Sequence, residues 1–235
     1  MTLPERHRSR AVLAMLLAVA LFSLMDAGLK GLAAHYPPFQ VAALRGAASF
    51  PLVLAWALST AGLRPLLRVR WSLHLLRGAL GIAMMAAFAY ALRYMPLSTA
   101  YSIFFVAPLL ITALSVPFLG EHVGPRRWVA IGIGLAGVLV VLRPTGEGVL
   151  SLAGMAVLVA ALGYAISAIT VRVLARTDST QAMMVWLLGL MALGAGVMAW
   201  PEWVPLRGTD LWLIAGIGVA GALGQYAITE AFRLG

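Results

Sequence analysis

Long apolar runs follow one another along this 235-residue chain, at residues roughly 11–32, 39–58, 75–93, 97–119, 127–142, 150–172, 181–200 and 211–232. A helix that crosses a bilayer needs about 20 apolar residues, so eight runs joined by short polar breaks leave little length for a soluble domain. The hydrophobic set makes up 62% of the chain and charged residues 11%, whereas soluble domains carry about a quarter charged residues. A soluble globular fold is excluded, and the expected fold class is an all-α polytopic membrane protein with eight transmembrane helices. The fifth run is the shortest, but Gly124-Pro125 offers it a helix start and Arg143-Pro144 a stop.

The net charge of +9 would suggest nucleic acid in a soluble chain. Here its meaning lies in where the cations fall. Short cytoplasmic loops collect Lys and Arg. Arg6, Arg8, Arg10, Arg64, Arg68, Arg70, Arg77, Arg126, Arg127, Arg172, Arg176 and Arg233 all fall at the N-terminus or in the breaks after even-numbered runs, while Lys30, Arg93, Arg143 and Arg207 fall opposite. Both the N-terminus and residue 235 are therefore expected in the cytoplasm, with the chain in a bacterial-type inner (plasma) membrane and no nucleic-acid partner. Seven tryptophans near run ends agree with headgroup anchoring. Arg64 to Arg77 with Trp71 should attract anionic lipid. The first run continues past the 7–15 residues of a signal-peptide core, so it is read as a span.

Sliding the chain against itself by 140 residues lays Gly78 on Gly218, Gly81 on Gly221, Ala87 on Ala227, Ala91 on Ala231 and Arg93 on Arg233. Nearby offsets of 141 and 142 add Gln40 on Gln181 and Lys30 on Arg172. The matched helices are five apart, an odd number, so they point in opposite directions. Inverted repeats of this kind build secondary transporters, with the substrate near the midplane between the repeats.

The residues Ala91-Leu92-Arg93-Tyr94-Met95-Pro96-Leu97-Ser98-Thr99-Ala100, then Pro108, then Leu119-Gly120-Glu121-His122-Val123-Gly124-Pro125-Arg126-Arg127-Trp128, and Leu142-Arg143-Pro144 resemble the first repeat of the EamA domain of the drug/metabolite transporter (DMT) superfamily. The resemblance implies a 5+5 inverted repeat, cytoplasmic termini, a central cavity and transport of small metabolites. It places a basic N-terminus at 1–10, the first repeat at 11–143 and the second at 144–235. Family members of this pattern move riboflavin, S-adenosylmethionine or amino acids. Ten helices are usual, so the second repeat is expected to be truncated after its third helix, as a fragment or as an eight-helix form completed by association.

Ionisable groups inside spans are functional candidates by default. Asp26 lies about 8 Å and Arg45 about 9 Å below the outer edge of a 30 Å hydrocarbon core, which predicts an ion pair, either locking two helices or jointly contacting a polar substrate. Asp26 is also the carboxylate through which protons could couple. Lys30 reads as an anchor or gate. Pro108, about 16 Å into the fourth helix, is expected to kink it, with Thr112 or a neighbour satisfying the kink. Ser23, Tyr90, Tyr101, Phe105, Tyr164, Ser167, Gln225 and Tyr226 are candidate cavity residues, where aromatic rings would suit a flat substrate. Glu230 is expected to pair with Arg233 or an interfacial arginine, and Glu121 with Arg126 and Arg127. Glycines at 78, 81, 132, 134, 137, 216, 218, 221 and 224 are expected to allow close helix packing, with a homodimer as a secondary use.

Enzyme chemistry finds no support, because H-E-x-x-H, G-x-S-x-G and cysteine are all absent from the sequence. His7, His35, His74 and His122 are scattered, so no metal or other cofactor is expected. With no phosphate-binding loop to bring in ATP, secondary transport remains, with a channel or non-transporting scaffold as the alternative.

Overall fold

The computed structural model describes residues 5–120, 122–142 and 150–234. These residues form a helical bundle of α1 (Glu5–Ala33), α2 (Pro38–Ala61), α3 (Trp71–Tyr94), α4 (Leu97–Phe104), α5 (Ala107–Leu119), α6 (Pro125–Leu142), α7 (Leu152–Leu174), α8 (Thr180–Ala199) and α9 (Leu211–Leu234). Among the described residues, seven stretches are long and apolar enough to cross a membrane: Ser9–Ala33, Pro38–Ala61, Trp71–Tyr94, Leu97–Leu119, Leu152–Leu174, Thr180–Glu202 and Gly208–Ala231. The remaining expected span is the 18-residue helix α6.

The boundaries follow local chemistry. Pro38 opens α2 and Pro96 precedes α4, where proline's fixed φ and missing N–H do no harm. Ser151 and Ser179 accept from the N–H groups of Gly154 and Ala182, capping α7 and α8. At the end of α5, Gly120 takes φ 67°, a left-handed stop that favours glycine. Two expectations shift. Helix α1 begins at Glu5 rather than near 11, so the basic N-terminus continues the first span as helix. Helix α3 starts at Trp71, four residues early, with the Trp71 ring packed edge-on against Trp186, ring centroids 4.5 Å apart.

Packing obeys the 140-residue offset. Helix α1 lies chiefly on α9, and its image α7 lies chiefly on α3, while α2 and its image α8 pack on each other. Glycines make these approaches. A Cβ on Gly163 of α7 would stand 3.3 Å from Met84 of α3, and one on Gly224, the image of Met84, would stand 3.0 Å from Phe22 of α1. At the central crossing a Cβ on Gly46 would fall 2.7 Å from the Ala192 backbone nitrogen. Glycine there lets two backbones meet. Gly132, Gly134, Gly137 and Gly216 differ from expectation, for an added Cβ would meet nothing within 4 Å. Their spacing is that of a packing face, but among the described residues no element covers it.

Candidate functional site

The fourth span is broken rather than kinked. Helix α4 ends at Phe104 and α5 starts at Ala107, with Phe105 and Val106 as a turn between them. Pro108 falls in the first turn of α5, where its missing N–H leaves the Phe104 carbonyl without the usual i→i−4 donor. Thr112 donates to the Pro108 carbonyl at 2.9 Å, one turn beyond the gap it was expected to satisfy. The eight-residue α4 carries Tyr101, whose hydroxyl donates to Asp26 Oδ2 of α1 at 2.8 Å. Phe88, Phe104 and Tyr164 continue from Tyr101 as a row of ring contacts across α3, α4 and α7, with centroid separations between 5.5 and 6.4 Å.

Arg45 stands at the centre of the repeat. It is 4% exposed, and its Nε and Nη1 lie 3.3 Å from Met25 Sδ and 3.6 Å from Met191 Sδ. Those sulfurs sit against Gly221 and Gly81 respectively, the glycine pair that the 140-residue offset relates. One turn along α2, Ser49 donates to the Gly218 carbonyl at 3.0 Å. The guanidinium thus occupies the region where α1, α2, α3, α8 and α9 converge.

The expected Asp26–Arg45 ion pair is not closed. Asp26 feels the Arg45 charge but accepts its hydrogen bond from Tyr101, while Arg45 is held between two thioethers. The two charges lie near enough to interact, and the side chains take different partners.

The other candidates distribute as follows. Ser167 and Gln225 are buried, and Gln225 lies 3.5 Å from Thr229. Ser23 lies beside Tyr101 and donates to its own helix at Val19. Tyr90 pairs with Tyr94. Phe105 and Tyr226 are 46% and 43% exposed, the latter against Trp56. Lys30 donates to the Leu92 and Met95 carbonyls, where a cation complements the C-terminal dipole of α3. Glu230 lies 3.4 Å from Thr180. Glu121, Arg143 and Pro144 and the side chain of Arg233 lie outside the described residues.

Polar ties at the two ends of the bundle are absent from the sequence reading. At one end Tyr36 donates to Asp210 at 2.7 Å and accepts from the Arg207 N–H at 3.0 Å, while Gln40 makes two bonds to the Val204 backbone, at 2.6 and 2.9 Å. At the other, Asp178 meets His74 Nε2 at 2.8 Å and the Arg70 N–H at 3.1 Å. The offset carries Asp210 onto Arg70 and Pro38 onto Asp178, so the two ties sit at neighbouring repeat-related places but are built from different residue types. Sliding the polar positions along the same offset pairs no like residues, so the sequence carried no signal for either tie.

The EamA-like transporter family matches residues 9–143. Over 98% of its length the chain is 30% identical to the riboflavin transporter of Vibrio cholerae, covering 78% of that protein. Over 94% it is 28% identical to the pseudopaline exporter of Pseudomonas aeruginosa, covering 78%. Over 93% it is 26% identical to an S-adenosylmethionine uptake transporter of Rickettsia prowazekii, covering 74%. A solved crystal structure superposes with a TM-score of 0.78 at 22% identity, over 96% of this chain and 80% of the other, and so shares the fold.

Proposed function

Because the chain belongs to the EamA-like transporter family and is a small-molecule membrane transporter rather than an enzyme, we propose that it works as a secondary active transporter of small metabolites in the inner (plasma) membrane. Alternating access would expose a central site between the inverted repeats to one side and then the other, with the N-terminus and residue 235 in the cytoplasm. The observation that carries this reading is Arg45, a buried cation bracketed by sulfurs that rest on repeat-related glycines. Transporter substrates sit at such a repeat interface near the midplane.

Asp26 and Arg45, with Tyr101, Ser23, Tyr164, Ser167 and Gln225, form the proposed substrate-binding set. The discontinuous fourth span adds support, since broken helices near mid-depth recur where transporters hold substrate. Proton coupling would run through Asp26. The test is counterflow in proteoliposomes containing the purified chain, using labelled riboflavin, S-adenosylmethionine and amino acids. Saturable uptake accelerated by the same solute inside the vesicle is the expected result. Uptake that rises linearly with concentration and shows no exchange would favour a channel, and no uptake at all would favour a scaffold. If uptake and its pH dependence survive Asp26→Asn unchanged, protons are not coupled through Asp26.

A further inference from the structure

Two opposite charges are buried near one another and do not neutralise by contact. Arg45 and Asp26 are 4% and 9% exposed, and each feels the other's charge. Among the described residues the hydrogen-bond acceptors given to Arg45 are the sulfurs of Met25 and Met191. A thioether is a weak acceptor, whereas a guanidinium has five N–H donors in a fork that fits a carboxylate. Asp26 takes one bond, from Tyr101 Oη, and an ionised carboxylate has about four lone-pair sites. Burial of charge is costly unless it is paired and hydrogen-bonded, so both groups have unused capacity, of opposite sign.

We infer that Arg45 and Asp26 read the two ends of a zwitterionic amino-acid group on the substrate, its carboxylate on the Arg45 guanidinium and its ammonium on the Asp26 carboxylate. The inference rests on the transport reading above and narrows its substrate class. A carboxylate arriving at Arg45 replaces sulfur contacts with charge-assisted bonds, and the ammonium donates to Asp26 while Tyr101 keeps the carboxylate oriented. A neutral solute would leave both charges without an ionic partner. Riboflavin-like chemistry therefore fits this centre less well than a solute bearing an amino-acid head. The row of Phe88, Phe104 and Tyr164 beyond Tyr101 offers ring faces to the remainder of such a molecule.

The test uses matched ligands, so that it does not depend on a variant that folds. Thermal stabilisation of the purified full chain is compared for S-adenosylmethionine and its decarboxylated form, for L-phenylalanine, phenethylamine and 3-phenylpropionate, and for riboflavin. The expected result is that at least one zwitterion stabilises, and that removing its carboxylate or its ammonium weakens apparent affinity by about tenfold or more. Arg45→Gln should abolish the preference for the carboxylated member of the pair, and Arg45→Lys should restore part of it. Stabilisation by riboflavin alone, equal in wild type and Arg45→Gln, would overturn the inference and leave transport standing. A zwitterion bound no better than its decarboxylated partner would overturn it too. If the counterflow assay shows no saturable uptake of any of these solutes, the transport reading fails first and the inference with it.

Discussion

His74 Nε2 lies 2.8 Å from Asp178 Oδ2, joining the first turn of α3 to the connection between α7 and α8. Burial alone would raise the Asp178 pKa, but hydrogen bonds from Thr177, from His74 and from the Arg70 N–H outweigh it and hold the carboxyl below its ordinary value. A carboxylate with a lowered folded-state pKa contributes stability above its unfolded value, about 3.9, and loses that contribution as pH falls through the folded value. The denaturation midpoint of the wild type in detergent should therefore drop as the medium is acidified below about pH 4. In Asp178→Asn the midpoint should be lower at neutral pH, and the gap between the two proteins should close under acid. A gap that is constant with pH would show that the tie has no ionic part.

Gln40 is fully buried and exchanges two bonds with the Val204 backbone. Gln40→Leu keeps much of the volume and removes both bonds, so unfolding should become easier by about 1–3 kcal/mol. Equilibrium denaturation of the reconstituted protein measures it, and Tyr36→Phe, which removes the donor to Asp210, should act in the same direction.

Gly46 and Gly132 separate packing from helix propensity. Gly46→Ala forces a Cβ to within 2.7 Å of the Ala192 backbone nitrogen, whereas the same change at Gly132 meets open space. The first should lower stability by about 1–3 kcal/mol through overpacking, and the second should leave it unchanged or raise it slightly. Equal effects at the two sites would refute the close crossing of α2 and α8.

Pro108→Ala restores an N–H that can reach the Phe104 carbonyl and so allows α4 and α5 to merge. Stability should hold or rise, while the uptake rate in proteoliposomes should fall if the break serves movement of the wall. An unchanged uptake rate would make the break a static feature.

Much of the architecture was legible in the sequence because bilayer thickness imposes a length on every apolar run and inverted duplication leaves a constant offset between glycines. The start of α6 fell at Pro125, as Gly124-Pro125 indicated, whereas the serine caps at Ser151 and Ser179 and the glycine stop at Gly120 had not been marked out. What stayed hidden was which side of a helix faces inward. Phe105 and Tyr226 sit at the right depth yet are exposed, because lipid and a protein interior are both apolar and aromatic residues suit either. Partner choice was hidden as well. Asp26 and Arg45 come near enough for their charges to interact, but Tyr101 is 75 residues from Asp26, and no local pattern announces that bond. Asp178 and Asp210 drew no notice, since an acid near a helix end ordinarily faces water, and only the folded bundle brings His74 and Tyr36 to them.

The two-residue interruption at Phe105–Val106 makes α4 the shortest of the helices labelled above. Helix α4 is about 12 Å long, entered from Pro96 and left through a turn, so its hydrogen-bond ladder is separate from that of α5. Tyr101, at its middle, is the hand by which this short rod holds Asp26. On the proposed reading a solute that reaches that carboxylate meets a stub of wall whose helical ladder is separate from those of the long helices, a part much smaller than either half of the molecule.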